Sequence, residues 1–179
     1  DRTGASFERS YASILERLTD KAVRAQLPIG EESEMLGVID LLEKKGYSFT
    51  GEMGSIVTEI DIPENLKADV EKYHLELVER IVEHDDNLMN DFLEGNTPSV
   101  ADLKKTLRKA VIANEIVPVF TGTALKNIGV QLVLDAVVDY LPSPTDIPAI
   151  KGEDVKTGEE VERPAADDVP FSALAFKLQ

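Results

Sequence analysis

The sequence has no cysteine, no tryptophan and two histidines, and it is short of positive charge, with 19 Lys and Arg against 34 Asp and Glu. Without cysteine there are no disulfides and no thiolate metal sites. His74 and His84 do not project together at metal-ligand spacing, and His74 borders an apolar stripe, so it reads as a packed or half-buried residue rather than a ligand. The net charge of −15 argues against direct nucleic-acid binding, which needs Lys and Arg to displace condensed counterions. Basic proteins fit better as partners. No apolar run approaches the roughly 20 residues of a membrane helix, and no secretory signal is read, so a cytoplasmic protein without a membrane partner is expected. The first residue is Asp rather than Met, which reads as a piece of a longer protein.

What is present is enough for a real core. A chain of 179 residues holds one or two compact domains. Phe7, Tyr11, Ile14, Leu15 and Leu18 recur at helical spacing and predict a helix over 6–19. Residues 26–29 and 36–39 are strand candidates, with a short helical turn at 40–44. Residues 47–50 and 55–62 flank a Gly-Glu-Met-Gly turn and predict an antiparallel hairpin. Leu66, Val70, Tyr73, Leu77 and Ile81 form the stripe of a long helix over 64–84. Helices follow at 86–94, stopped by Gly95, and at 100–112, capped by Ser99. Residues 116–121 read as a strand whose Pro118 favours a sheet edge. A last helix over 130–140 is expected to bury Val133, Leu134, Val137, Val138 and Leu141. Five of the nine prolines lie in 142–170, which reads as a tether with room for one loose hairpin. Residues 171–178 read as a strand.

Two stretches carry more than periodicity. One runs from Asn114 through Val117-Pro118-Val119-Phe120-Thr121-Gly122-Thr123-Ala124 to Tyr140-Leu141-Pro142. The other is the chain start, Asp1-Arg2-Thr3-Gly4-Ala5. Both resemble bacterial elongation factor G, a translational GTPase, and so does nearly everything between them. The resemblance implies an α/β fold made of several parts. Residues 1–21 and 114–142 would be a remnant of a P-loop-type GTPase domain. Residues 22–113 would be an insert subdomain, with helices packed on a small, largely antiparallel sheet. Residues 143–170 would be a linker, and 171–179 the first strand of a β-barrel domain.

The resemblance also assigns sites. Asp1 would be the last residue of the guanine-reading Asn-Lys-x-Asp motif. Its carboxylate offers two adjacent acceptors to guanine N1–H and the 2-amino group. Gly122, Thr123 and Ala124 would match the family's Gly-Ser-Ala loop, whose Ala N–H meets guanine O6, with Thr123 in place of the usual Ser. GTP or GDP with Mg²⁺ would be the cofactors of the parent protein. The sequence contains no Gly-x4-Gly-Lys-[Ser/Thr] phosphate loop, so this chain alone is expected neither to hold the nucleotide tightly nor to hydrolyse it. Exposed apolar surface on the GTPase remnant would favour self-association.

Glu79, Glu83 and Asp86 fall on the side of the long helix opposite Leu77, provided that helix persists to Asp86. The resemblance assigns this helix to contact with the ribosome, in particular with the C-terminal domain of the ribosomal stalk protein. Two other readings remain open from sequence alone. One is a stand-alone acidic interaction module unrelated to a GTPase. The other is a ribosomal-protection or release-type relative.

Overall fold

A computed structural model describes residues 1–173 and Lys177. The chain divides into two compact units, 1–141 and 142–179.

The first unit begins with helix α1 (Phe7–Arg17), whose N-terminus is capped by Ser6 accepting the Arg9 N–H. Only Tyr11 of its apolar stripe is buried, while Leu15 and Leu18 face solvent. Strand β1 (Ala22–Arg24) follows and pairs in parallel with β6 (Val117–Val119), Val23 standing opposite Pro118. This two-stranded ladder ties the start of the chain to its later part. A second, antiparallel sheet has the order β2 (Gln26–Ile29), β3 (Gly37–Asp40), β4 (Lys45–Thr50), β5 (Ile56–Ile60). The hairpin expected over 47–62 is β4–β5, with Phe49 opposite Val57. In place of the expected helical turn at 40–44, a tight turn closes β3 onto β4. There the Asp40 carboxylate accepts the Glu43 N–H at 2.8 Å, and Lys44 takes a left-handed φ of +53°. Burial pushes the Asp40 pKa up, against the lowering effect of that hydrogen bond.

Helix α2 (Lys67–Val82) buries Val70, Leu77, Val78, Ile81 and Val82. It ends two residues earlier than expected, because Asp85 accepts the Asn87 and Leu88 N–H groups and so begins a new helix, α3 (Asp86–Leu93). Helix α4 (Val100–Ile112) starts at Ser99, as expected from its capping side chain, and buries Leu103, Thr106, Leu107 and Ala110. Together with Val23, Leu27, Ile29, Ile39, Leu41, Leu42 and Ile116 the apolar residues among these make one core between the helices and the sheets. Lys104 reaches from α4 to Glu43 at 2.7 Å and to Asp139 at 3.5 Å. Burial acts to lower the Lys104 pKa, but the Glu43 hydrogen bond and charge raise it overall.

Helix α5 (Val130–Tyr140) departs from the sequence reading in which side it buries. Ala136 and Tyr140 are in the core, whereas Leu134 is 61% and Val138 78% exposed, and Val133, Val137 and Leu141 are also open. The stripe is apolar, but the elements inside this unit cover its neighbouring side. Val133, Val137 and Leu141 line, with Val111, Ile116, Pro118 and Phe120, an open apolar cleft of about 330 Å³.

Among the described residues, the second unit contains one antiparallel hairpin, β7 (Ile150–Glu153) and β8 (Glu160–Arg163), within the stretch read as a tether. Lys151 pairs with Glu160 at 2.9 Å and Glu162 at 3.1 Å across it. Residues 171–173 carry no strand, and the rest of the strand expected over 171–178, apart from Lys177, lies outside the described residues. No helix among the described residues is long and apolar enough to cross a membrane.

Candidate functional site

Strand β6 delivers the chain into the 121–129 loop, which ends at α5. The loop is a narrow turn closed by a reciprocal pair, with the Thr123 N–H donating to the Ile128 carbonyl at 2.9 Å and the Ile128 N–H to the Thr123 carbonyl at 3.0 Å. Asn127 closes the turn onto the Ala124 carbonyl at 3.2 Å and takes a left-handed φ of +54°. Gly129 is also left-handed, and a Cβ there would lie 2.8 Å from the Thr121 carbonyl oxygen. That position accepts glycine alone without moving backbone. The Ala124 N–H takes no part in these hydrogen bonds, and Ala124 is exposed.

Asp1 comes to this loop from the far end of the sequence. Its Oδ2 accepts a hydrogen bond from the Thr123 hydroxyl at 2.8 Å, across 122 positions of chain. Thr123 is buried and Asp1 exposed, so the pair points its charged end outward. The departure from Ser to Thr at 123 keeps the hydroxyl that makes this contact. A carboxylate with acceptor capacity left over thus sits on the loop that carries a backbone donor with no partner in the turn. Among the described residues no cluster of three or more His, Asp or Glu is placed to hold a metal ion.

Glu79, Glu83 and Asp86 are all exposed, but they do not share one helix. Glu79 lies on α2, Glu83 at its C-terminal cap and Asp86 in the first turn of α3. Glu83 is paired with Arg80 at 3.3 Å. Glu79 and Glu83 line a cleft of about 360 Å³ with Tyr11, Arg24 and Tyr73.

That cleft holds a feature that sequence reading missed. The Arg24 guanidinium stacks between two rings, 4.0 Å from the Tyr11 centroid and 4.3 Å from that of Tyr73. It also contacts Glu8 at 2.7 Å and Glu76 at 3.7 Å. Burial raises the Tyr11 pKa, with Arg24 opposing. One side chain from β1 therefore fastens α1 to α2. Nothing in the sequence marks it, because Arg24 sits in a three-residue strand and its partners lie on two distant helices.

No family model matches the chain. The chain is 50% identical over 180 aligned positions to elongation factor G of Mycoplasma pneumoniae, an alignment that covers 99% of this chain and 26% of that relative. Among solved structures it is similar to a crystal structure of a protein from Thermus thermophilus, with a TM-score of 0.71 and 25% identity, covering 89% of this chain and 25% of that one. The 50% identity across essentially the whole chain sets it among the translation elongation factors. Within them it belongs to the elongation factor G family, and it spans about a quarter of the length of the curated relative it matches.

Proposed function

We propose that this chain is the part of a GTP-driven ribosomal translocase that supplies one side of the guanine pocket and a docking surface for the ribosomal stalk protein. The observation that carries the first half is the Asp1–Thr123 hydrogen bond. It joins the two segments that the family resemblance assigns to the base, although they lie far apart in the sequence of this unit. Asp1 would accept from N1–H and the 2-amino group, and the Ala124 N–H would donate to O6. Bound GTP would bring the phosphates and Mg²⁺ on which the hydrolysis chemistry runs, and other parts of the protein, which would act in the cytoplasm, would hold them. Residues 22–113 would be the insert, on a GTPase remnant formed by 1–21 and 114–142.

The test is a change of base preference in the full-length protein. An Asn at position 1 keeps one acceptor for N1–H and replaces the other with a donor, which suits the 2-oxo group of xanthine and repels the 2-amino group of guanine. Asp1→Asn should weaken GDP binding by about 2 kcal/mol, the scale of a charged hydrogen bond, and strengthen binding of the xanthine nucleotide. Unchanged preference in a competition assay rules out Asp1 as a base reader.

The acidic residues support the second half. Glu79, Glu83 and Asp86 are exposed around the α2–α3 junction, and rim charges of this kind act mainly on encounter rates, which salt screens. Reversing all three to Lys should slow association of the stalk protein's C-terminal domain about tenfold at low salt and flatten its salt dependence. A control reversal at Asp69 and Glu71, near the start of α2, should change less. Equal rates for wild type and the triple reversal at low salt would return these residues to an ordinary solvated surface.

A further inference from the structure

The turn between β4 and β5 is tucked under the 121–129 loop. Gly54, at its end, is buried and left-handed at φ +61°. A Cβ added there would lie 2.8 Å from the Lys126 carbonyl oxygen and 2.9 Å from that of Asn127. Both are backbone atoms, so a side chain at 54 can be relieved only by moving the turn or the loop. Gln131, in the first turn of α5, donates from Nε2 to the Gly54 carbonyl at 3.1 Å. The same turn is thus fixed to the loop and to the helix that follows it.

Other residues of the antiparallel sheet hold the loop from below and from its start. Ile128 is buried in a small cluster with Met35, Val38 and Phe49. Gln26, fully buried, accepts the Thr121 N–H through Oε1 at 3.3 Å. By contrast, the loop's own strand gives little support, since β1 and β6 are only three residues each. A loop closed by one reciprocal pair and fed by so short a ladder would open readily on its own.

We propose that the β4–β5 turn is a positioning element for base recognition, in which Gly54, tied by Gln131, sets the place of the loop that offers the Ala124 N–H to guanine. This rests on the guanine reading above. Gly54 and Gln131 would touch no part of the nucleotide. They act through the Lys126 and Asn127 carbonyls, and any ligand that displaced the β4–β5 turn would change base affinity, with the reciprocal effect required by linkage.

Two variants test this, Gly54→Ala and Gln131→Met. The second removes the donor while keeping a long, helix-compatible side chain, so it carries the test if Gly54→Ala does not fold. In this chain, hydrogen exchange at the Thr123 and Ile128 amides should speed up about tenfold in each variant, as expected for loss of local protection. The β3–β4 amides should keep their protection. In the full-length protein, GDP should dissociate about tenfold faster, equivalent to about 1.4 kcal/mol, while Asp1→Asn separately moves base preference. Unchanged exchange at Thr123 and Ile128 in the folded variants overturns the proposal. So does unchanged GDP dissociation: if Asp1→Asn still moves base preference, the pocket stands and only the positioning role falls. If Asp1→Asn also has no effect, the guanine reading itself falls.

Discussion

Replacing Arg24 with Ala should destabilise the chain by roughly 2–4 kcal/mol, the combined scale of two cation–π contacts and the packing of a long stem. The guanidinium is flat and fills the space between the Tyr11 and Tyr73 rings, with 17% of its side chain exposed. Its loss leaves two ring faces without a partner. Glu8 and Glu76 are about half exposed, so water takes over their charges and their share of the loss is small. Arg24→Lys separates the two contributions. A lysine keeps the charge but offers no plane to stack between rings, so it should recover less than half of the stability. Thermal unfolding followed by circular dichroism, suited to a chain without tryptophan, reads the difference. A Lys variant as stable as wild type would show that the charge alone matters and that the stack contributes nothing.

A loss of similar size is expected in the core of the antiparallel sheet. Ile39, on the inner strand β3, is completely buried and belongs to the main cluster with Leu41, Leu77 and Ile81. Ile39→Ala should cost about 3–4 kcal/mol, because the sheet and helices around it cannot close the cavity fully. Leu134→Ala, on the open side of α5, should stay within about 0.5 kcal/mol. The pair is informative because both residues belong to apolar stretches of the sequence and only one is in the core. Urea titrations of the two variants give the comparison directly, and a cost below about 1 kcal/mol for Ile39→Ala would contradict the packing described above.

That contrast marks how far the sequence could be read. Elements with one buried side and one polar side were legible. The stripe of α2, the Ser99 cap of α4, and the β4–β5 hairpin around its glycine turn all follow from period and capping chemistry. Strand β1 was not legible, because three residues cannot display alternation and its partner β6 lies far along the chain. Helix α5 is apolar on more than one side, and spacing alone could not choose Ala136 and Tyr140 over Val133, Leu134 and Val137. The break between the helices read at 64–84 and 86–94 was legible, and the structure moves the end of the first back to Val82. The Asp85 cap starts the second helix at Asp86, so the long helix does not persist to that residue.

The candidate site divides in the same way. Asp1 and the Gly122-Thr123-Ala124 segment could be named from the family resemblance, and their proximity is now a hydrogen bond. Gly54, Gln26 and Gln131 could not be named. A glycine in a hairpin turn is ordinarily explained by the turn itself, and nothing in its sequence surroundings announces the Lys126 and Asn127 carbonyls above it.

The distances along the chain at this loop also bear on the order in which the molecule assembles. Thr123 is 122 positions from Asp1, and Thr121 is 95 from Gln26. The β3–β4 and β4–β5 turns, by contrast, join strands that are neighbours in sequence. Closing long segments costs entropy that only an already organised interior repays. During refolding the antiparallel sheet is therefore expected to form its hairpins before the 121–129 loop settles on it. The geometry of the 121–129 loop is accordingly expected late in folding, after the sheet on which it rests.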